Sequence, residues 1–172
     1  MNDAITLKDG IFLVPYAEYN GARSVSDDTV AGLFCELDDD GVIEAVFNES
    51  IRTEQDFILL MKSPDNLPVF VVLDGELVAA AWLNSITRNH ASVHFIAVKR
   101  CRGRSVEMGL RVVDYWFAFP GDNGPLLDVL IGNTPANNRL AVQYIKRLGF
   151  IEIGEIPHMA DGGAMSISYR AR

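Results

Sequence analysis

The stretch Ala91-Ser92-Val93-His94-Phe95-Ile96-Ala97-Val98-Lys99-Arg100-Cys101-Arg102-Gly103-Arg104-Ser105 decides how this chain is read. Its first part, Ala91–Val98, is rich in β-branched and aromatic residues and predicts a strand. From Ser105 the apolar residues Val106, Leu110, Val113 and Phe117 recur on one helical face, which predicts a helix to about Phe119. Between the two lie Lys99, Arg100, Arg102 and Arg104, four cations within six residues. Packed like charges repel unless an anion or water relieves them. Gly103 lets a backbone come close. Free N–H groups at a helix start face an anion, and arginines add charge-assisted bonds. The pattern predicts an anion site; its bland alternative is a solvated turn. It contains neither GxxxxGK[ST] nor GxGxxG, so it is neither a P-loop nor a dinucleotide fingerprint.

Outward from this stretch, strands and helices mix. Gly10–Tyr16 predicts a first strand. Ser26-Asp27-Asp28 predicts a helix start, with Thr29–Leu37 as its body. Thr53 caps a second helix to Met61, and Pro64 ends it. Leu67–Leu73 and Glu76–Ser85 predict strands joined by a hairpin at Asp74-Gly75. Pro120-Gly121-Asp122-Asn123-Gly124-Pro125 reads as a loop. Leu126–Ile131 predicts a strand and Asn138–Leu148 a helix whose buried side carries Leu140, Ala141, Tyr144, Ile145 and Leu148. Gly149 stands at the C-cap position. Phe150–Ile156 and Ala164–Tyr169 predict the last strands. With no repeat or linker, residues 1–172 are expected to form a single domain. The expected class is α+β, an α/β sandwich around one mainly antiparallel sheet.

Charge is unevenly spread. Residues 1–86 hold 16 acids and 4 bases, a net of −12, while residues 87–172 hold 7 acids and 11 bases, a net of +4. A basic half suits a polyanion and an acidic half suits a cation. The overall charge of −8 argues against a nucleic-acid partner. No apolar run approaches the roughly 20 residues of a membrane span. Met1-Asn2-Asp3 lacks a basic region followed by an apolar core, so no signal peptide is expected. Cys35 and Cys101 give no disulfide framework and no CxxC spacing. The cytoplasm is the expected location.

Two motifs then stand in order. Arg100-x-x-Gly103-x-Ser105 resembles the [QR]-x-x-G-x-[GA] signature of the GNAT superfamily of acyl-CoA-dependent N-acetyltransferases. Asn138-Arg139-Leu140-Ala141-Val142-Gln143-Tyr144-Ile145-Lys146-Arg147-Leu148-Gly149-Phe150 resembles its second signature, in which Ala follows Asn by three residues and the helix ends in Leu-Gly-Phe. The resemblance covers residues 67–156 best.

The resemblance implies a GNAT-like fold: a mixed, mainly antiparallel central sheet, two splayed parallel strands (Ala91–Val98 and Leu126–Ile131) and flanking helices. It implies acetyl-CoA as acyl donor, with the pantetheine arm between those strands. Backbone groups of Ile96, Ala97 and Val98 would meet the pantetheine and the thioester. N–H groups of Arg102, Gly103, Arg104, Ser105 and Val106 would hold the pyrophosphate, and Asn138 would contact the pantetheine. The implied activity is N-acetyl transfer to a primary amine on a small molecule or peptide. A non-catalytic acyl-CoA-binding or assembly module is the alternative, and a homodimer is a family-level expectation.

Departures from the pattern matter. Ser105 replaces a Gly or Ala, and Glu107 stands where many members have Gly. Ile145 stands where many have a Tyr that returns a proton to the leaving thiolate. Tyr144 is one residue earlier, about 100° around the helix, and is either a core residue or a displaced acid. A protonated amine needs a base before it attacks. Ser92, His94, Ile96 and Val98 share a strand face by alternation. His94, with a reference pKa of about 6.5, is the best-placed titratable group on it; a structural histidine is the other reading. Asp27, Asp28, Glu54 and Asp56 are candidates to attract the acceptor.

No metal is expected. His90 and His94 on a strand lie roughly 13 Å apart, too far to share one zinc. Glu36, Asp38, Asp40 and Gly41 echo a calcium loop, but its twelfth position is Phe47, not Glu. G-x-S-x-G is absent, so a hydrolase elbow is unsupported. Cys101 between two arginines is placed for a lowered thiol pKa, but direct transfer needs no thiol nucleophile.

Overall fold

Ser26 starts the first helix, α1 (Asp27–Asp39), by accepting the Thr29 N–H at 3.2 Å. Asp27 and Asp28 fill the first turn, where acids suit the helix dipole. Val30, Leu33, Phe34 and Leu37 form the buried stripe. Gly41 at φ +67° breaks the run, and a short helix not expected from the sequence follows, α2 (Val42–Phe47). Its Phe47 stacks on Trp82 with ring centroids 5.9 Å apart. α3 (Glu54–Lys62) carries a reciprocal capping box between Thr53 and Asp56 and buries Phe57, Ile58 and Met61. This computed structural model describes residues 5–6, 10–47, 49–121, 124–160 and 163–172. The readings of Met1–Asp3 and of Asp122-Asn123 lie outside them.

The chain packs as two compact units, Met1–Trp82 with Phe95–Met108, and Leu83–His94 with Gly109–Arg172. Neither is continuous in sequence. In the first, β1 (Ile11–Pro15) pairs antiparallel with β2 (Leu67–Leu73), from Ile11↔Leu73 to Pro15↔Val69. The two-residue strand Ile5–Thr6 pairs with the other edge of β1. β2 neighbours β3 (Glu76–Asn84). Asp74 and Gly75 between them have φ of +53° and +90°, the double positive φ of a type I′ hairpin turn. Ile11, Val69, Phe70, Val71, Val78 and Phe57 are fully or almost fully buried in this core.

β4 (His90–Ala97) begins in the second unit and ends in the first. α4 (Ser105–Phe117), β5 (Val129–Pro135), α5 (Arg139–Arg147), β6 (Ile151–Ala160) and β7 (Gly163–Ala171) follow. Strand order in the second unit is β4-β5-β7-β6. β5 runs parallel to β4 and antiparallel to β7. The class is α+β: a mixed, mainly antiparallel sheet with one parallel pair, flanked by helices. Among the described residues no helix is long and apolar enough to cross a membrane.

Three sequence expectations are corrected. The second parallel strand is Val129–Pro135, not Leu126–Ile131. Asn133-Thr134-Pro135 has a turn-like composition, but pairing of Asn133–Pro135 with Ile167–Met165 keeps it extended. Leu126 instead closes a turn, its N–H bonding to Phe119 O at 2.8 Å. Leu140 of α5 is not on a buried side: it is 76% exposed. The last strands are longer than expected, because the β6–β7 ladder extends out to Ala160↔Gly163.

Candidate active site

In the first unit the basic stretch is a 3₁₀ helix, Lys99–Arg104, running directly into α4. Such a helix satisfies its N–H groups by i→i+3 bonds. Cys101 N–H bonds to Val98 O at 3.3 Å, and Ser105 N–H bonds to Arg102 O. The Ser105 hydroxyl donates to the same carbonyl at 2.9 Å. Ser105 therefore uses both donors to close its own turn.

Two of the four cations of this stretch, Arg100 and Arg104, already have anions. Arg100 Nε donates to Glu36 Oε1 at 2.5 Å and its Nη1 to Glu76 Oε2 at 2.6 Å. Arg104 meets Glu107 at 2.9 Å. Asp40 accepts the Lys99 N–H, so a carboxylate of the chain itself sits at the amino end of the helical run, where an anion is favoured. The echo of a calcium loop at Glu36–Asp40 is thus a set of partners for this segment. Arg102 and Gly103 are exposed. Gly103 has no positive φ, and a Cβ built on it would meet nothing within 4 Å, so that side of the turn is open to a ligand.

Immediately upstream, Val98 is committed. Its N–H donates to Val78 O at 3.0 Å, and its carbonyl accepts the Cys101 thiol at 3.0 Å. Burial pushes the Cys101 thiol pKa up, and the Arg100 charge only partly opposes it. That corrects the expectation of a lowered pKa. Ile96 is buried and Ala97 half-buried.

The second unit holds the other candidates. The parallel ladder pairs His90↔Val129, Ala91↔Leu130, Ser92↔Ile131 and Val93↔Gly132. Beyond Gly132, β5 continues to pair with β7 as far as Pro135. His94 stands one residue past the last parallel pair. It is half-buried, and desolvation lowers its pKa from 6.5 to about 4. It is therefore neutral at physiological pH, ready to accept a proton but a weak base. Asn138 is the N-cap of α5, its Oδ1 accepting the Ala141 N–H at 3.1 Å.

α5 meets its neighbours through two glycines. A methyl on Gly132 would collide with Ile145 Cδ1 and come within 2.9 Å of Ser168 Oγ. A methyl on Gly109 would collide with the Tyr144 hydroxyl and come within 2.8 Å of Leu148 Cδ2. Tyr144 thus packs on α4 while Ile145 packs on β5, as the 100° offset between them requires. Arg170 ties the unit together. It bonds to Leu148 O at 2.5 Å, lies 5.9 Å from the Phe117 ring centre and is 3.7 Å from Asp114.

Two of the four acids expected to attract an acceptor are taken. Asp27 pairs with Lys62, a bond that lowers its pKa. Asp56 is held by Thr53 and the Arg52 N–H. Glu54 lines a 460 Å³ cleft with Cys35, Asp38 and Asp39.

No family model matches this sequence, and no curated protein matches it at a significant level. Solved structures do match. The microcin C7 self-immunity acetyltransferase MccE, in complex with acetyl-CoA and AMP, is 12% identical with a TM-score of 0.73, over 96% of this chain and 94% of that one. Spermidine N-acetyltransferase from Vibrio cholerae, with CoA and spermine, is 14% identical with a TM-score of 0.72, over 94% and 95%. An acetyltransferase from Salmonella typhimurium that modifies the N-terminal serine of ribosomal protein L7/L12 is 12% identical with a TM-score of 0.73, over 95% of each chain. The fold is that of the GNAT acetyltransferases.

Gly103 lies between β4 and α4, and Asn138 starts the helix after β5. Ile145 of that helix lies against Gly132. A short helix at Val42–Phe47 and the anchor Arg170 had no clear sequence signal. α2 is only six residues long, and Arg170 works through a carbonyl, a ring and a carboxylate far apart in sequence.

Proposed function

We propose that this chain is an N-acetyltransferase that moves the acetyl group of acetyl-CoA to a primary amine. The observation that carries the reading is the GNAT fold over nearly the whole chain, with a glycine-containing basic turn at the head of α4. Neighbours of that fold were solved with acetyl-CoA or CoA bound. In the first unit the open side of Gly103 gives the diphosphate an approach to the backbone at Arg102, Gly103 and Arg104, with Arg102 supplying charge, while both donors of Ser105 are taken by Arg102 O. Val98 N–H is already bonded to Val78 O, and alternation along the strand turns the Ala97 N–H to the opposite edge, so polarisation of the thioester carbonyl falls to Ala97. In the second unit the Asn138 amide caps α5 through its oxygen, and its NH₂ group is the part that would reach a pantetheine amide.

The reaction balances without a metal. The neutral amine nitrogen attacks the thioester carbon, an N–C bond forms and the C–S bond breaks. The amine's proton ends on the sulfur, giving amide and free CoA thiol. His94 serves as first acceptor of that proton. The Tyr144 hydroxyl lies against Gly109 and would have to leave that contact to return a proton to the thiolate.

Thermal-shift titration with acetyl-CoA and with CoA tests the reading, followed by thiol release across an amine panel. Ligand at 100 times Kd adds about 2.7 kcal/mol of stability. Stabilisation followed by thiol release supports the proposal. Stabilisation without release on any amine favours a non-catalytic binding module, and no stabilisation removes both.

A further inference from the structure

The two faces of the sheet in the second unit differ in polarity and burial. Register places Leu130, Gly132, Thr134, Ser166, Ser168 and Arg170 on one face. Both helices of the unit cover that face, α5 through Ile145 at Gly132 and α4 through Asp114 and Phe117 at Arg170. Thr134, Ser166 and Ser168 are only 8%, 4% and 2% exposed. The opposite face carries Ser92, His94, Ile131, Asn133, Ile167 and Tyr169. Each of these is half-buried or exposed. Towards β6 the same face continues to Ile151 and Ile156, 59% and 49% exposed. None of these residues is Lys, Arg, Asp or Glu. Small polar groups are thus buried under the helices, while on the other face Ile131, Ile167 and Tyr169 are only half-buried and Ile151 and Ile156 are exposed, an uncharged apolar surface that a ligand could cover.

We propose that this face binds the acceptor, and that the acceptor is a small primary amine on an apolar, preferably aromatic, body. The inference rests on the acetyltransferase reading and names the substrate class for it. The face adjoins His94, one residue beyond the end of the parallel ladder. It offers a ring at Tyr169, aliphatic side chains at Ile131 and Ile167, and uncharged polar groups at Ser92 and Asn133. A polyamine needs fixed negative charges, and this face carries none, so charge matching favours an amine with one cation and a hydrophobic remainder.

The test is binding first and turnover second. Saturation-transfer NMR measures binding of 2-phenylethylamine and of spermidine to the protein without donor. Thiol release at saturating acetyl-CoA then compares the same two amines. The expected result is saturable binding of 2-phenylethylamine, kcat/KM at least tenfold above that for spermidine, and a tenfold or greater rise in its KM in Ile167→Asp. Tyr169→Ala, which removes one half-buried ring, is the milder second variant, with folding checked by circular dichroism. The acetyl-CoA Kd is expected to stay unchanged in both. Preference for spermidine, or unaltered 2-phenylethylamine binding in both folded variants, overturns the inference while leaving the acetyltransferase reading intact. A change in sedimentation with no change in amine binding also overturns it, by making the face an interface between copies. Loss of acetyl-CoA binding in the unaltered protein would instead sink the parent reading, and the NMR arm still decides whether the face takes an aromatic amine.

Discussion

The Lys99–Ser105 turn and the seam between α5 and β5 carry the two sequence motifs, yet they are built on opposite principles. The turn is held by charge at the surface: Arg100 to Glu36 and Glu76, Asp40 at the Lys99 N–H, Arg104 to Glu107. Its glycine faces open space. The seam is held by contact, with Gly132 and Gly109 admitting Ile145 and Tyr144 at distances that no Cβ would allow. Surface ion pairs contribute little each and yield to a stronger anion. Close packing does not yield. The adjustable region is therefore the one suited to a ligand, and the rigid one to positioning.

The first way to sharpen that contrast is pH. His94 lies in the same unit as the seam but on the opposite face of the sheet, and burial holds its pKa at about 4 against 6.5 in the unfolded chain. Its neutral form is favoured by folding, so its contribution is complete above about pH 6.5 and is lost as pH falls towards 4. The expected loss is about 3 kcal/mol. Urea midpoints at pH 7.5 and 4.5 should therefore separate more for the unaltered protein than for His94→Gln; equal separations would contradict the buried, neutral imidazole.

Steric substitution comes next. Gly132→Ala is expected to cost about 2 kcal/mol by overpacking. Ile145→Ala in the same chain should recover part of that in a double-mutant cycle, and strict additivity would refute the contact. Gly103→Val should leave the urea midpoint within about 0.5 kcal/mol of the original while weakening acetyl-CoA at least tenfold. A destabilised protein with normal affinity would reverse the comparison. The smallest effect is expected at Asp40→Asn, under 1 kcal/mol in stability, with acetyl-CoA bound slightly tighter because a competing carboxylate has gone. Weaker binding would show that Asp40 orders the turn for its ligand.

Much of this was legible in the chain. The caps at Ser26 and Thr53, the hairpin at Asp74-Gly75 and the α4 stripe are local features, and local chemistry determines them. β5 was misplaced because Asn133-Thr134-Pro135 looks like a turn until β7 pairs with it. The four cations pointed to an anion, but sequence could not show that Glu36, Asp40 and Glu76 supply part of it, from positions 24 to 64 residues away. The uncharged apolar face away from the helices was hidden for a similar reason. Alternation along β5 and β7 shows two faces, but only packing shows which one the helices cover.

The central claim is that the turn and the GNAT fold bind acetyl-CoA for transfer to an amine. Isothermal titration of acetyl-CoA into the unaltered protein and into Gly103→Val tests it most directly. The account predicts one saturable site in the first and at least tenfold weaker binding in the second, with both proteins equally folded. No heat of binding in the unaltered protein, or equal affinity in the two, would contradict it.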